Sequence, residues 1–222
     1  MIHTIFFDAG GTIITTKSTL IYLAELLDPE RRDEIFRFLV DSFMVYYENE
    51  KIERFYSVKE IIAITLKQAA EKFNVPDLSE DTKKYYRLNH LKDASLFEDT
   101  LPTLNELKAR NVKMNICSDA DADVLVEQMK MFGIYDYFDD IIISSNVGAY
   151  KPHPKMVRAV DKFCREPYEQ ILFVGDSRVD VETARRVNIK SALINRNGKF
   201  KYDADYKIKS LSQLFDIIDK QQ

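Results

Sequence analysis

The stretch Ile5-Phe6-Phe7-Asp8-Ala9-Gly10-Gly11-Thr12 decides the fold. Its first three residues are an apolar run with no polar alternation. Such a run suits a strand covered on both faces, as in a parallel sheet. It ends in an acid. Open α/β sheets bind ligands beyond the carboxyl ends of their strands. The two glycines let the following backbone turn sharply and come close to a ligand. Asp and Gly are also ordinary turn formers, so this loop alone does not establish a site.

Working outward, four more short apolar runs lie at 112–117, 141–143, 171–174 and 192–194. Between them are helical spacings: Leu101, Leu104, Leu107 and Lys108; Val124, Leu125, Gln128 and Phe132; Met156, Val157, Val160 and Phe163. Strand and helix alternate from about residue 97 to the end, which is the α/β pattern. Chemistry-bearing residues recur along it. The run ending at Cys117 leads into Ser118-Asp119. Lys151 stands in Tyr150-Lys151-Pro152-His153-Pro154. The run 171–174 leads into Gly175-Asp176-Ser177-Arg178-Val179-Asp180. Each has a plainer reading. Asp176 and Asp180 suit a helix N-cap and first turn, Ser118 suits a cap, and Lys151 and His153 suit a loop. His3 and His90 have no partner signal and read as structural.

Residues 16–94 differ. They hold no strand run but four helical patterns, at 20–27, 34–47, 58–73 and 81–90. The expected organisation is a discontinuous α/β core of residues 1–15 and 95–222, with a helical insertion at 16–94 and hinges near Lys17 and Leu96. Seven aromatic residues crowd into 36–56: Phe36, Phe38, Phe43, Tyr46, Tyr47, Phe55 and Tyr56. Phe36, Val40, Phe43 and Tyr47 share one helical face and are expected in the bundle core, with pocket lining as the alternative for the tyrosines.

Composition narrows the function. Thirty-two Lys and Arg against thirty-six Asp and Glu give a net charge of −4. That balance argues against nucleic-acid binding through bulk positive charge. No apolar run nears the roughly 18 residues of a membrane span, and the N-terminus has no signal-peptide pattern. Two cysteines, Cys117 and Cys164, are too few for a disulfide framework or a zinc cluster and read as reduced thiols. A cytoplasmic protein without nucleic-acid or membrane partners is expected.

Together these segments resemble the haloacid dehalogenase superfamily of hydrolases, over essentially the whole chain. Asp8 with Gly11 and Thr12 resembles the family's nucleophile loop. Ser118 resembles its second motif, Lys151 its third, and Gly175-Asp176-Ser177 with Asp180 its fourth. The stretch 204–214 resembles its last strand and helix. The resemblance implies a Rossmann-like parallel sheet core with an inserted all-helical cap. It also implies a Mg2+-dependent phosphohydrolase working through an aspartyl-phosphate on a small phosphorylated metabolite. Asp8 would then be the nucleophile. Asp8, the Gly10 carbonyl and Asp176 would be the metal ligands. Ser118, Asp119, Gly11, Thr12 and Lys151 would bind the phosphoryl group, and Asp180 would orient Lys151 or a metal-bound water. The oligomeric state stays open, a homodimer included.

One position departs from that pattern. Phosphatases of the superfamily usually carry a second acid two residues after the nucleophile, where this chain has Gly10. General acid–base help of that kind contributes roughly 10²–10⁴-fold. Its absence points to a good leaving group or to slow turnover, with Asp119 as a candidate substitute acid. Two alternatives follow: a metal-independent 2-haloacid dehalogenase, and a phosphate-binding module without turnover. Dehalogenases need no second acid, but Asp176 beside Asp8 would then be an uncompensated charge.

Overall fold

The structure is a computed structural model and describes residues 1–47 and 54–219. Strands β1 (Thr4–Phe7) and β2 (Ile14–Thr15) are followed by helices α1 (Thr19–Leu27), α2 (Arg32–Tyr47), α3 (Val58–Phe73) and α4 (Thr82–Lys92). Then come β3 (Ser95–Leu96), α5 (Thr100–Ala109), β4 (Lys113–Ser118), α6 (Ala122–Met131), β5 (Asp140–Ile143), α7 (Ser144–Val147) and α8 (Pro154–Asp161). The chain closes with β6 (Ile171–Gly175), α9 (Arg178–Val187), β7 (Lys190–Ile194), β8 (Tyr206–Ile208) and α10 (Leu214–Asp219). It is an α/β fold. No described helix is long and apolar enough to cross a membrane.

Six strands form one sheet in the order β5-β4-β1-β6-β7-β8. Every pairing is parallel. β1 lies between β4 and β6 and all four of its residues are buried, which is why its sequence carries no polar alternation. Phe7 pairs with Ile116 on one side and Val174 on the other. That register brings the ends of β1, β4 and β6 to one edge. Asp8, Ser118 and Asp176 therefore leave the sheet together. Below them Phe6 stacks on Phe173, within an apolar cluster that includes Cys117, Met156, Val160 and Ala184.

The chain falls into two compact units. One comprises Met1–Thr15, Ser95–Ala122 and Met129–Gln222; the other comprises Thr16–Ala94 and Asp123–Gln128. Residues 123–128, expected with the α/β core, group instead with the helices. Val124 is buried in the helical apolar cluster, and Asp123 and Glu127 pair with Lys59 and Arg87. That cluster is built from Leu23, Leu27, Ile35, Leu39, Ile62, Leu66 and Phe73. The expected face of α2 is met in part, since Phe36 and Phe43 pack against this cluster while Val40 and Tyr47 are not among its members. Ile35 and Leu39 are fully buried, whereas Phe36, Val40, Phe43 and Tyr47 are only half-buried. Several of the crowded rings pack on other rings: Phe38 on Phe73, Phe43 on Tyr47, and Tyr46 on Tyr56. In α5, likewise, Leu104 and Leu107 are buried but Leu101 is exposed.

α3 begins with a capping box, Ser57 and Glu60 each bonding the other's backbone, and ends at Asn74 in the left-handed region. β2 and β3 form a two-residue antiparallel ladder, Ile14 against Leu96 and Thr15 against Ser95. Pairing that short leaves no periodicity to read.

Candidate active site

Asp8 follows β1 directly, and its backbone N–H continues the ladder by donating to the Val174 carbonyl at 2.8 Å. The chain then turns back on itself. Ile13 and Ile14 N–H both donate to the Ala9 carbonyl at 3.0 and 2.9 Å, and Gly11 N–H donates to Ile14 at 2.8 Å. Gly11 has φ +81°, and a Cβ there would lie 2.3 Å from Asp176 Oδ2. Backbone conformation and close approach both require glycine at this position. Buried Thr12 directs its hydroxyl to Asp8 Oδ2 at 3.4 Å.

Lys151 is the hub. Its ammonium donates to Asp8 Oδ1 at 2.7 Å, to Asp180 Oδ1 at 2.6 Å and to the Cys117 carbonyl at 3.1 Å. All three ammonium protons are used, and the side chain is 2% exposed. Burial alone would lower its pKa, but the carboxylates of Asp180 and Asp8 hold it well above the ordinary lysine value. The lysine stays charged. Its backbone N–H donates to Asp119 Oδ1 at 2.9 Å. Asp119 therefore braces the loop that presents Lys151, a role not expected from sequence.

Asp180 acts from both of its oxygens. Oδ1 receives Lys151, while Oδ2 accepts from the Ser177 backbone at 3.0 Å and from the Ser177 hydroxyl. Ser177 and Asp180 form the capping box of α9. The helix cap and the lysine anchor, competing readings of Asp180 from sequence, are one arrangement. Gly175 makes room for it, since a Cβ there would fall 2.3 Å from Asp180 Cγ. The cap itself is Ser177 rather than Asp176.

Other expectations are reassigned. Ser118 is buried at the end of β4 and does not cap α6; the Ala122 N–H is taken by Ser145 Oγ at 2.9 Å. His153, expected as a loop residue, is the N-cap of α8, its Nδ1 accepting from Lys155 N–H at 3.1 Å. Gly10 is exposed, and its Cβ position has no atom within 4 Å. Sequence reading did not find the roles of the Cys117 carbonyl and the Ser177 hydroxyl. Neither group carries a residue-type signal for its contact.

The electrostatics are one-sided. Oxygens of Asp8, Asp176 and Asp180 lie within 4.8 Å of one another. The Lys151 ammonium bonds two of them, Asp8 and Asp180. Burial, opposed by Lys151 and reinforced by Asp180 and Asp176, raises the Asp8 pKa well above its ordinary value. Asp176 stays exposed, yet the protein mass packed around its carboxyl partly desolvates it and, with the Asp180 charge, pushes it up to about 6. A hard divalent cation with oxygen ligands fits this donor set. Gly11 supports the fit, because its missing side chain is what admits Asp176 to the cluster.

The sequence profile of haloacid dehalogenase-like hydrolases matches residues 5–194. A pyrophosphatase PpaX from Bacillus pumilus (strain SAFR-032) is 28% identical over 229 positions, covering 98% of this chain and 96% of the relative. The L-2-haloacid dehalogenase RSc1362 superposes with a TM-score of 0.79 at 21% identity, covering 98% of this chain and 99% of its own. A HAD phosphatase from Thermococcus onnurineus gives a TM-score of 0.68 at 26% identity, covering 98% of each chain. With the parallel sheet and the acid–lysine cluster at its carboxyl edge, the match shows that the chain belongs to the haloacid dehalogenase-like hydrolase family.

Proposed function

We propose that this hydrolase is a Mg2+-dependent phosphohydrolase. It acts through an aspartyl-phosphate at Asp8 on a small phosphorylated substrate whose leaving group departs without a protein acid. The observation that carries the reading is the set of three carboxylates held against the single ammonium of Lys151. Carboxylate oxygens gathered so closely are suited to a hard cation that a phosphoryl group can share. The relative named as a pyrophosphatase and the neighbour named as a phosphatase support the phosphoryl chemistry.

In this reading an Asp8 oxygen attacks phosphorus in line, the bond to the leaving oxygen breaks, and water later cleaves the aspartyl-phosphate. Lys151 holds Asp8 Oδ1, orients the carboxylate and offsets its charge. Ser118, Gly11 and Thr12 are the groups proposed to receive the phosphoryl oxygens. Asp8, the Gly10 carbonyl and Asp176 would hold the magnesium ion, which supplies neutralisation of the charge gathering on those oxygens. Asp180 fixes Lys151 from behind. Residues 16–94 are proposed as the family's helical cap.

Gly10 favours a second reading, a metal-independent 2-haloacid dehalogenase, because halide leaves without a proton. One experiment separates the two: hydrolysis of an aryl phosphate with and without magnesium, beside halide release from a 2-haloacid. Phosphatase activity abolished by chelator and by Asp8→Asn is the expected result. Full activity in chelator, or halide release without metal, would overturn the proposal.

A further inference from the structure

Arg196 follows β7, at the same sheet edge as Asp8, and no motif of the family resemblance includes it. Its guanidinium spans segments far apart in sequence. One terminal nitrogen donates to Asp99 Oδ2 at 2.7 Å and the other to the Thr12 carbonyl at 2.9 Å. The guanidinium carbon lies 3.7 Å from the centroid of the Phe97 ring. Asp99 Oδ2 also accepts the Leu211 N–H at 2.8 Å. Thr12, whose carbonyl Arg196 holds, directs its hydroxyl to Asp8. Arg196 is thus one residue removed from the nucleophile.

The pairing is not the one that stability alone favours. Arg and carboxylate normally meet as a two-pronged fork. Here one prong is given to Thr12, and Arg196 Nε and Asp99 Oδ1 are buried without a hydrogen-bond partner. Leaving such groups unpaired is unfavourable. The orientation instead satisfies the Thr12 carbonyl and the ring of Phe97. Phe97 N–H and the Thr100 hydroxyl both donate to the Ile13 carbonyl, at 3.3 and 2.9 Å, so the same cluster grips the next residue of the loop.

We propose that Arg196 is a positioning residue for the nucleophile loop, setting the Thr12 carbonyl and, through Thr12, the Asp8 carboxylate. The inference rests on Asp8 being the nucleophile. Displacing a reacting group by about 1 Å can lose on the order of 10²-fold in rate. Arg196→Met is therefore expected to lower kcat per folded molecule by about 10–100-fold with KM within about threefold. Orthovanadate, a mimic of the pentacoordinate transition state, should inhibit the variant more weakly in proportion to the lost kcat. Arg196→Lys keeps the charge but not the planar fork and should lose less. A purely structural role would lower Tm and the folded fraction while leaving kcat per folded molecule and vanadate inhibition unchanged. That result would overturn the inference. Should Arg196→Met fail to fold, Arg196→Lys carries the test, and parent-like kcat and vanadate inhibition there would overturn it equally. Asp8→Asn is assayed alongside. Turnover surviving in Asp8→Asn removes the nucleophile reading itself. An inactive Asp8→Asn beside a parent-like Arg196→Met removes only the role of Arg196.

Discussion

Replacing Gly10 by aspartate tests whether the missing acid sets the chemistry of this enzyme. The position accepts a side chain. Its φ is not in the left-handed region, and no heavy atom lies within 4 Å of the Cβ site. Gly-to-Ala-type changes at compatible sites stabilise by about 0.4–1 kcal/mol, and the new carboxyl partly offsets this by adding to the Asp8, Asp176 and Asp180 charges. Little net change in Tm is expected. Those same charges raise the pKa of an added carboxyl, which favours the protonated form that an acid needs. Full general-acid help is worth roughly 10²–10⁴-fold. Because residue 10 is exposed, we expect the lower end, about 10²-fold or 2.7 kcal/mol of barrier. The gain should be confined to esters of poor leaving groups. The assay is kcat/KM across a series running from nitrophenyl to simple alkyl phosphates. The parent should show a steep fall with leaving-group pKa. Gly10→Asp should flatten that fall while leaving the nitrophenyl end unchanged. An unaltered slope, or an equal gain across the series, would refute the leaving-group argument.

Lys151→Met removes the ammonium that pairs with buried Asp8 and Asp180. Breaking such a buried pair costs about 3–5 kcal/mol, so thermal unfolding should show a large drop in Tm together with loss of turnover; parent-like stability would contradict the hub role. Gly175→Ala forces a Cβ to within 2.3 Å of Asp180 Cγ, an overpacking expected to destabilise by about 1–3 kcal/mol as read by denaturant melts, with kcat falling as Lys151 loses its anchor. Glu182, bonded to Arg185 and Arg186, is lowered to about 2 from the ordinary 4.5. A depressed acid adds stability above its unfolded pKa and loses it as pH falls through the folded value. Glu182→Gln should therefore lower Tm slightly at pH 7, by the equivalent of at most about 1 kcal/mol for a surface pair, with the difference vanishing as the pH approaches 2. A difference independent of pH would exclude the ion pair as its cause.

Much of the sheet and its edge could be read from sequence because buried parallel strands are continuous apolar runs. Residues 5–7 and 171–174 announce themselves, and the residues after them inherit a place at the edge. The turn at Gly11 was equally legible, though the side chains that approach the glycines were not. Gly11 admits Asp176 and Gly175 admits Asp180. Half of α6 reads like any core helix, yet Asp123–Gln128 groups with the helical unit because Val124 and the ion pairs of Asp123 and Glu127 lie there. On α2 the rings of Phe36, Phe43 and Tyr47 satisfied the helical period, but Ile35 and Leu39 fill the centre of the core while Phe36 and Phe43 pack at its margin, half-buried. Adjacent faces of a helix differ by a single residue's rotation, and only a packed neighbour chooses between them.

By itself the sequence determined the α/β class, the helical insertion and the order acid, hydroxyl, lysine, acid pair. These follow from local patterning and from the place of each residue after its strand. Tertiary structure alone decided how those groups are joined. Lys151 bridges Asp8 to Asp180 across 143 and 29 residues, and Arg196 reaches Thr12 across 184. Side-chain hydrogen bonds over such separations depend on strand order and register, which no local pattern encodes.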